Sequence, residues 1–127
     1  KSVEKDNTII FYNSLNHPKI KILKKKGVIL VKSQLNNDRL LDLKMILKKL
    51  FSLGVRNLLV EGGDKFTRNL IKDKLIDSFY LFQSPKIMPK SKTSRIFSSS
   101  KILNKNYKKK YRLPSKLAKD NITIYKR

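Results

Sequence analysis

The stretch LLVEGGDKF, residues 58–66, runs from three apolar residues into a carboxylate, a glycine pair and an aspartate. Leu58, Leu59 and Val60 are consecutive, so a strand made from them is apolar on both faces. That pattern suits a central parallel strand with helices covering each side. The segment VRNLLVE (55–61) is therefore expected to be a strand ending at Glu61. Gly62 and Gly63 make the turn. Asp64 is placed to cap a following helix, with Phe66, Leu70 and Ile71 on its inner face.

Working outward, the clearest helix lies just upstream. Leu43, Ile46, Leu47, Leu50 and Phe51 fall at helical spacing and form one apolar stripe, while Lys44, Lys48, Lys49 and Ser52 take the other face. Asp42 is placed to cap this helix and Gly54 to end it. GVILVK (27–32) and NTIIFYN (7–13) read as strands. SLNHP between them reads as a loop, with His17 exposed and inert. IDSFYLFQ (76–83) is a further strand. The order strand–helix–strand–helix–strand from residue 27 to 83 predicts two right-handed βαβ crossovers. From Pro85 the chain turns into a Pro-, Ser- and Lys-rich loop, and then YKKKYRL and DNITIYKR read as strands adding an antiparallel edge. The fold class is α/β, with a single domain over residues 1–127.

Composition narrows the chemistry. There is no cysteine and one histidine, which excludes disulfides and thiolate metal sites and argues against a His-based zinc centre or a Ser-His-Asp triad within the chain. No apolar stretch reaches membrane-spanning length, and the first 20 residues lack the apolar block of a signal peptide. A cytoplasmic protein is the expectation. The chain opens on Lys1, which suggests a piece of something longer.

The formal charge is +22, and between Ser78 and Lys119 there are twelve Lys and Arg with no Asp or Glu. Such a surface suits phosphate-rich partners. Lysine, asparagine and isoleucine are also what an AT-rich genome writes on a tolerant surface. A nucleic-acid binder more often uses Arg forks and aromatic platforms. NYKKKYRL, with its two tyrosines, is the best local case for such binding, and reads equally well as a strand with a solvated lysine face. A basic nucleic-acid-binding protein is therefore the alternative reading.

In an open α/β sheet, ligands sit beyond the carboxyl ends of the strands. Glycines there let backbone approach a ligand, and the first turn of the next helix offers free N–H groups and a positive dipole end to a phosphate. Residues 61–64 match neither G-x-G-x-x-G nor a Walker A loop. A glycine turn without ligand stays open on these residues alone. Glu61 could accept hydrogen bonds from a polyhydroxy substrate, move a proton, or pair with a lysine.

The stretch from Leu41 to Met88 resembles the C-terminal reductase domain of the bifunctional riboflavin-biosynthesis deaminase/reductase. The marks are the Asp-Leu helix start, the Gly-Val turn into an apolar strand ending in Glu-Gly-Gly, "Leu-Ile-Asp", and a strand running into Pro-Lys. The closing KDNITIYKR looks like that domain's last strand. Pro89 stands where the family usually has glycine. The resemblance implies a dihydrofolate-reductase-like mixed sheet, a homodimer, and NADPH-dependent reduction of the ribosyl group of 5-amino-6-(5-phosphoribosylamino)uracil to the ribityl product. It implies substrate contact by Glu61. It also implies a cofactor site at Gly62 and Gly63 and the helix start Asp64, Lys65, Phe66, Thr67, Arg68 and Asn69. It names no catalytic acid or base. The family's domain begins well before a segment like NTIIFYN, so the chain is expected to be the C-terminal part of a reductase domain, with little activity alone.

Overall fold

The computed structural model describes residues 8–14, 16–86, 97–114 and 120–127. The chain divides into two compact units, Lys1–Leu58 and Leu59–Arg127.

The first unit is built on a parallel pair. Strand β1 (Ile9–Tyr12) lies beside β2 (Ile29–Lys32), with Ile9 opposite Ile29 and Tyr12 opposite Lys32. Helix α1 (His17–Lys25) makes the crossover. Its start is set locally: the Asn16 side chain accepts from the Lys19 N–H at 3.1 Å, and Pro18 sits in the first turn, where its missing N–H costs nothing. Val28, just before β2, is buried. Helix α2 (Leu43–Ser52) has the Asp42 carboxylate accepting from the N–H groups of Lys44 (2.9 Å) and Met45 (3.1 Å). Its stripe residues Leu43, Ile46, Leu47 and Leu50 are half-buried. Phe51 is exposed and carries the Arg56 guanidinium 4.2 Å above its ring; Arg56 also donates to the Phe51 carbonyl.

The second unit is an antiparallel sheet with two helices. Strands β3 (Ser78–Gln83), β4 (Lys109–Leu113) and β5 (Asn121–Lys126) lie in the order β3–β5–β4. Helix α3 (Asp64–Lys72) contacts helix α4 (Ser100–Asn106). The core is Ile71, Leu103, Tyr107 and Tyr125, with Ile76, Phe79, Leu81, Phe97 and Ile102 packed against it. Phe79 stacks on Phe97 and meets Tyr125 edge-on. The Tyr107 hydroxyl donates to the Ile76 carbonyl at 2.9 Å, and the Asn106 amide donates to that of Ile71. On the opposite sheet face the register places Tyr80, Ile124 and Tyr111 in one row and Phe82, Ile122 and Leu113 in the next.

All three longer helices stop the same way. In α2, the Gly54 N–H donates to the Phe51 carbonyl and the Val55 N–H to that of Leu50, with Gly54 in the left-handed region at φ 91°. Gly27 plays this part after α1. Lys74, at φ 54°, plays it after α3.

Several expectations are corrected. VRNLLVE forms no strand: among the described residues nothing pairs with it, and Leu58, Leu59 and Val60 are 51 %, 85 % and 39 % exposed. An apolar run becomes a strand only where a neighbour supplies the hydrogen-bond ladder. The expected crossovers through α2 and α3 therefore do not form, and β3 pairs antiparallel with β5. The parallel crossover is β1–α1–β2, and His17 opens a helix, exposed as expected. Parallel and antiparallel strands occupy two separate sheets, and β5 is a central strand rather than an edge. Strand β4 forms as read, with Lys109, Lys110 and Arg112 exposed, Lys109 on one side and Lys110 and Arg112 on the other. Helix α4 lies at the end of a stretch read as loop. Pro89 falls outside the described residues.

Candidate functional site

The sequence-predicted site residues, Glu61 to Asn69, all lie in the second unit, on the approach to α3 and its first turns. Glu61 is exposed and makes no hydrogen bond or ion pair among the described residues. Among the described residues its carboxylate therefore has no lysine partner.

The two glycines differ. At Gly62 a Cβ would come within 2.6 Å of the Phe66 ring, one helical turn on. Gly62 is thus needed so that Phe66 can lie across the turn. At Gly63 a Cβ would meet nothing within 4 Å. Gly63 has ordinary extended backbone and is the N-cap of α3, yet no side chain caps the helix. The first helical hydrogen bond runs from the Thr67 N–H to the Gly63 carbonyl, and among the described residues no hydrogen bond is seen from the N–H groups before it in the first turn. Thr67 also reaches back to the Gly62 carbonyl at 3.5 Å. Lys65 and Arg68 are exposed on this turn.

Asp64 was expected to be the cap. It is instead the first helical residue, and its carboxylate serves a different segment. The Ser98 N–H donates to Oδ1 at 3.0 Å, the Ser98 hydroxyl to Oδ2 at 2.6 Å, and the Ser99 hydroxyl to Oδ1 at 3.4 Å. The Ser98 hydroxyl, then the Ser98 N–H, then Ser99 and the positive charge of Arg68, hold the Asp64 carboxyl below its ordinary value; partial burial works the other way. Ser99 is fully buried and begins α4. Neither serine was singled out from sequence. The run SSS (98–100) ahead of KIL carries a helix-start signal, but its partner lies 34 residues away and no local pattern reveals it.

Among the described residues no helix is long and apolar enough to cross a membrane. The chain is 36 % identical over 88 residues to the riboflavin biosynthesis protein RibD of Aquifex aeolicus (strain VF5). That match covers 68 % of the chain and 23 % of the relative's length. The family described as the RibD C-terminal domain matches residues 2–120. With so much of its length matched, and with Glu-Gly-Gly leading into α3 inside the match, the chain belongs to the RibD C-terminal domain family.

Proposed function

We propose that this chain is the reductase part of a riboflavin-pathway enzyme, reducing the ribosyl group of 5-amino-6-(5-phosphoribosylamino)uracil to a ribityl chain with NADPH. The observation that carries the reading is the start of α3. It has an N-cap without a side chain, first-turn N–H groups without a partner among the described residues, and room for a Cβ at Gly63. Such a helix start suits a phosphate. Lys65 and Arg68 add positive charge, and the Asp64 carboxylate already has its oxygens engaged by serines. The donor set therefore fits a phosphate-bearing cofactor.

In this reading Gly62, Gly63 and the turn from Asp64 to Asn69 form the cofactor site. The N–H groups and cations would take up phosphate charge. The missing Cβ of Gly63 lets the ligand approach the backbone. The carboxylate of Glu61, two residues before, would accept hydrogen bonds from substrate hydroxyls and hold the sugar in orientation. NADPH, when bound, supplies the hydride. The remaining work of the chain is alignment and charge neutralisation. No side chain is assigned as acid or base. The homodimer that family resemblance implies belongs to the same proposal and is checked by sedimentation.

The test is a thermal shift. NADPH should raise the melting temperature of the wild-type chain, and Gly63→Val should abolish the rise, its unliganded melting temperature falling by a few degrees because valine is a poorer N-cap than glycine. An equal rise in the variant would sink the assignment of Gly63. The basic-protein alternative predicts tight nucleic-acid binding that collapses steeply with salt.

A further inference from the structure

Asp64 stands in the middle of the proposed cofactor site, and a carboxylate there is a puzzle. It would repel a phosphate and compete for the same helix donors. The geometry resolves the conflict. Both carboxylate oxygens are occupied by Ser98 and Ser99, with contacts of 2.6 and 3.0 Å in the range of strong charge-assisted hydrogen bonds. The segment they hold is itself rooted. Ser99 is fully buried, and α4, which follows it, places Leu103 and then Tyr107 in the core. The Ser98–Ser99 turn is thus fixed from one side by α4 and from the other by Asp64, across a separation of 34 residues.

We propose that Asp64 is a positioning residue rather than a cofactor ligand: it clamps the Ser98–Ser99 turn beside the first turn of α3, making that turn one wall of the phosphate site. The inference rests on the reductase reading above and divides the labour within it. Lys65, Arg68 and the backbone meet the cofactor. Asp64 meets Ser98. The clamp turns the carboxylate lone pairs toward the serine donors and so away from the helix N–H groups, while the carboxylate keeps its charge. Ser98, exposed while its hydroxyl donates to Asp64, has oxygen lone pairs left to accept from a ligand.

The experiment combines amide hydrogen exchange at Ser98 and Ser99 with NADPH dissociation constants for wild type, Asp64→Asn, Asp64→Ala and Ser98→Ala. Asparagine keeps an oxygen acceptor for the Ser98 N–H and an amide donor for its hydroxyl, so it should preserve slow exchange and bind NADPH at least as tightly as wild type. Asp64→Ala and Ser98→Ala should both speed exchange at the turn and weaken NADPH by about tenfold. Weakened binding in Asp64→Asn with the turn intact would make the carboxylate a direct ligand and overturn the proposal. So would unchanged or tighter binding in Asp64→Ala. Wild-type chain that binds no NADPH would defeat the reductase reading first, recognisably before any variant is compared, and the inference would fall with it.

Discussion

The ring of Phe66 lies against the Cα of Gly62, one helical turn apart, so closely that a methyl group on Gly62 would sit 2.6 Å from Cδ1. The adjacent Gly63 has free space in the same direction of substitution. A glycine pair that looks redundant in sequence thus has one member required by packing and one left clear.

Substituting the pair should separate the two roles. Gly62→Ala forces the Phe66 ring, 42 % exposed, to turn toward solvent and should cost at most about 0.5 kcal/mol. Gly63→Ser places a hydroxyl where α3 lacks a cap and should stabilise the unliganded chain by a few tenths of a kcal/mol, roughly the difference between serine and glycine caps. Urea unfolding of both variants checks the pair. A stabilised Gly62→Ala would refute the packing role.

Two of the three left-handed helix ends predict opposite signs. Gly54, at φ 91° with nothing near its Cα, should lose about 1–2 kcal/mol on change to alanine, all of it from the backbone. Lys74 holds the same position after α3 with a side chain that disfavours it. Lys74→Gly should therefore gain up to about 1 kcal/mol, the left-handed strain being offset in part by glycine's greater freedom when unfolded. Denaturant midpoints read both.

Tyr107 is buried, and its hydroxyl holds the Ile76 carbonyl. Tyr107→Phe leaves that carbonyl without its partner and should cost about 1–3 kcal/mol. Burial, the largest cause, pushes the Tyr107 hydroxyl above its ordinary value, because the phenolate is disfavoured inside the fold. A raised folded value means stability is present below the unfolded titration near 10 and is lost as pH rises through the folded value. The phenylalanine variant, though weaker at neutral pH, should show a shallower alkaline decline in chemical-denaturation midpoints.

Asp64 gives the acid counterpart. Ser98 holds its carboxyl below the ordinary value of 3.8. A lowered folded value contributes stability above the unfolded value, and that contribution disappears as pH falls through the folded one. Asp64→Asn should therefore flatten the acid limb of the stability curve below pH 4 or so, where the carboxyl titrates. An acid limb of the wild-type slope in that variant would show that the Ser98 contacts are not formed in solution.

What could be read ahead of the structure was the chemistry of neighbours in sequence. Asp42 and Gly54 bound α2 as expected, because caps act on groups within four residues. Leu70 and Ile71 are buried on α3 for the same reason of periodicity. α1 carried legible signals in Asn16, Pro18 and Gly27, but SLNHP read as loop and the apolar stripe after it is short. Strand pairing was not legible. LLV fits a central strand by composition, yet pairing depends on what lies alongside, and the antiparallel partner of β3 arrives some 40 residues later in β5. At the site, Glu61 and the glycines were visible as residue types. The hold of Ser98 on Asp64 was not, since it joins residues no periodicity connects.

The outer face of the β3–β5–β4 sheet is what a colloid would meet first. Tyr80, Phe82, Tyr111 and Leu113 are 52 %, 60 %, 51 % and 42 % exposed, side by side over the Ile122–Ile124 strand. A hydrophobic plane of this kind favours contact with any similar surface. The chain that bears it carries a formal charge of +22. Mutual repulsion at that charge keeps molecules apart in dilute buffer, and the Debye length shrinks from about 30 Å at 0.01 M salt to about 8 Å at 0.15 M. Added salt, by screening that repulsion, should therefore bring these faces together.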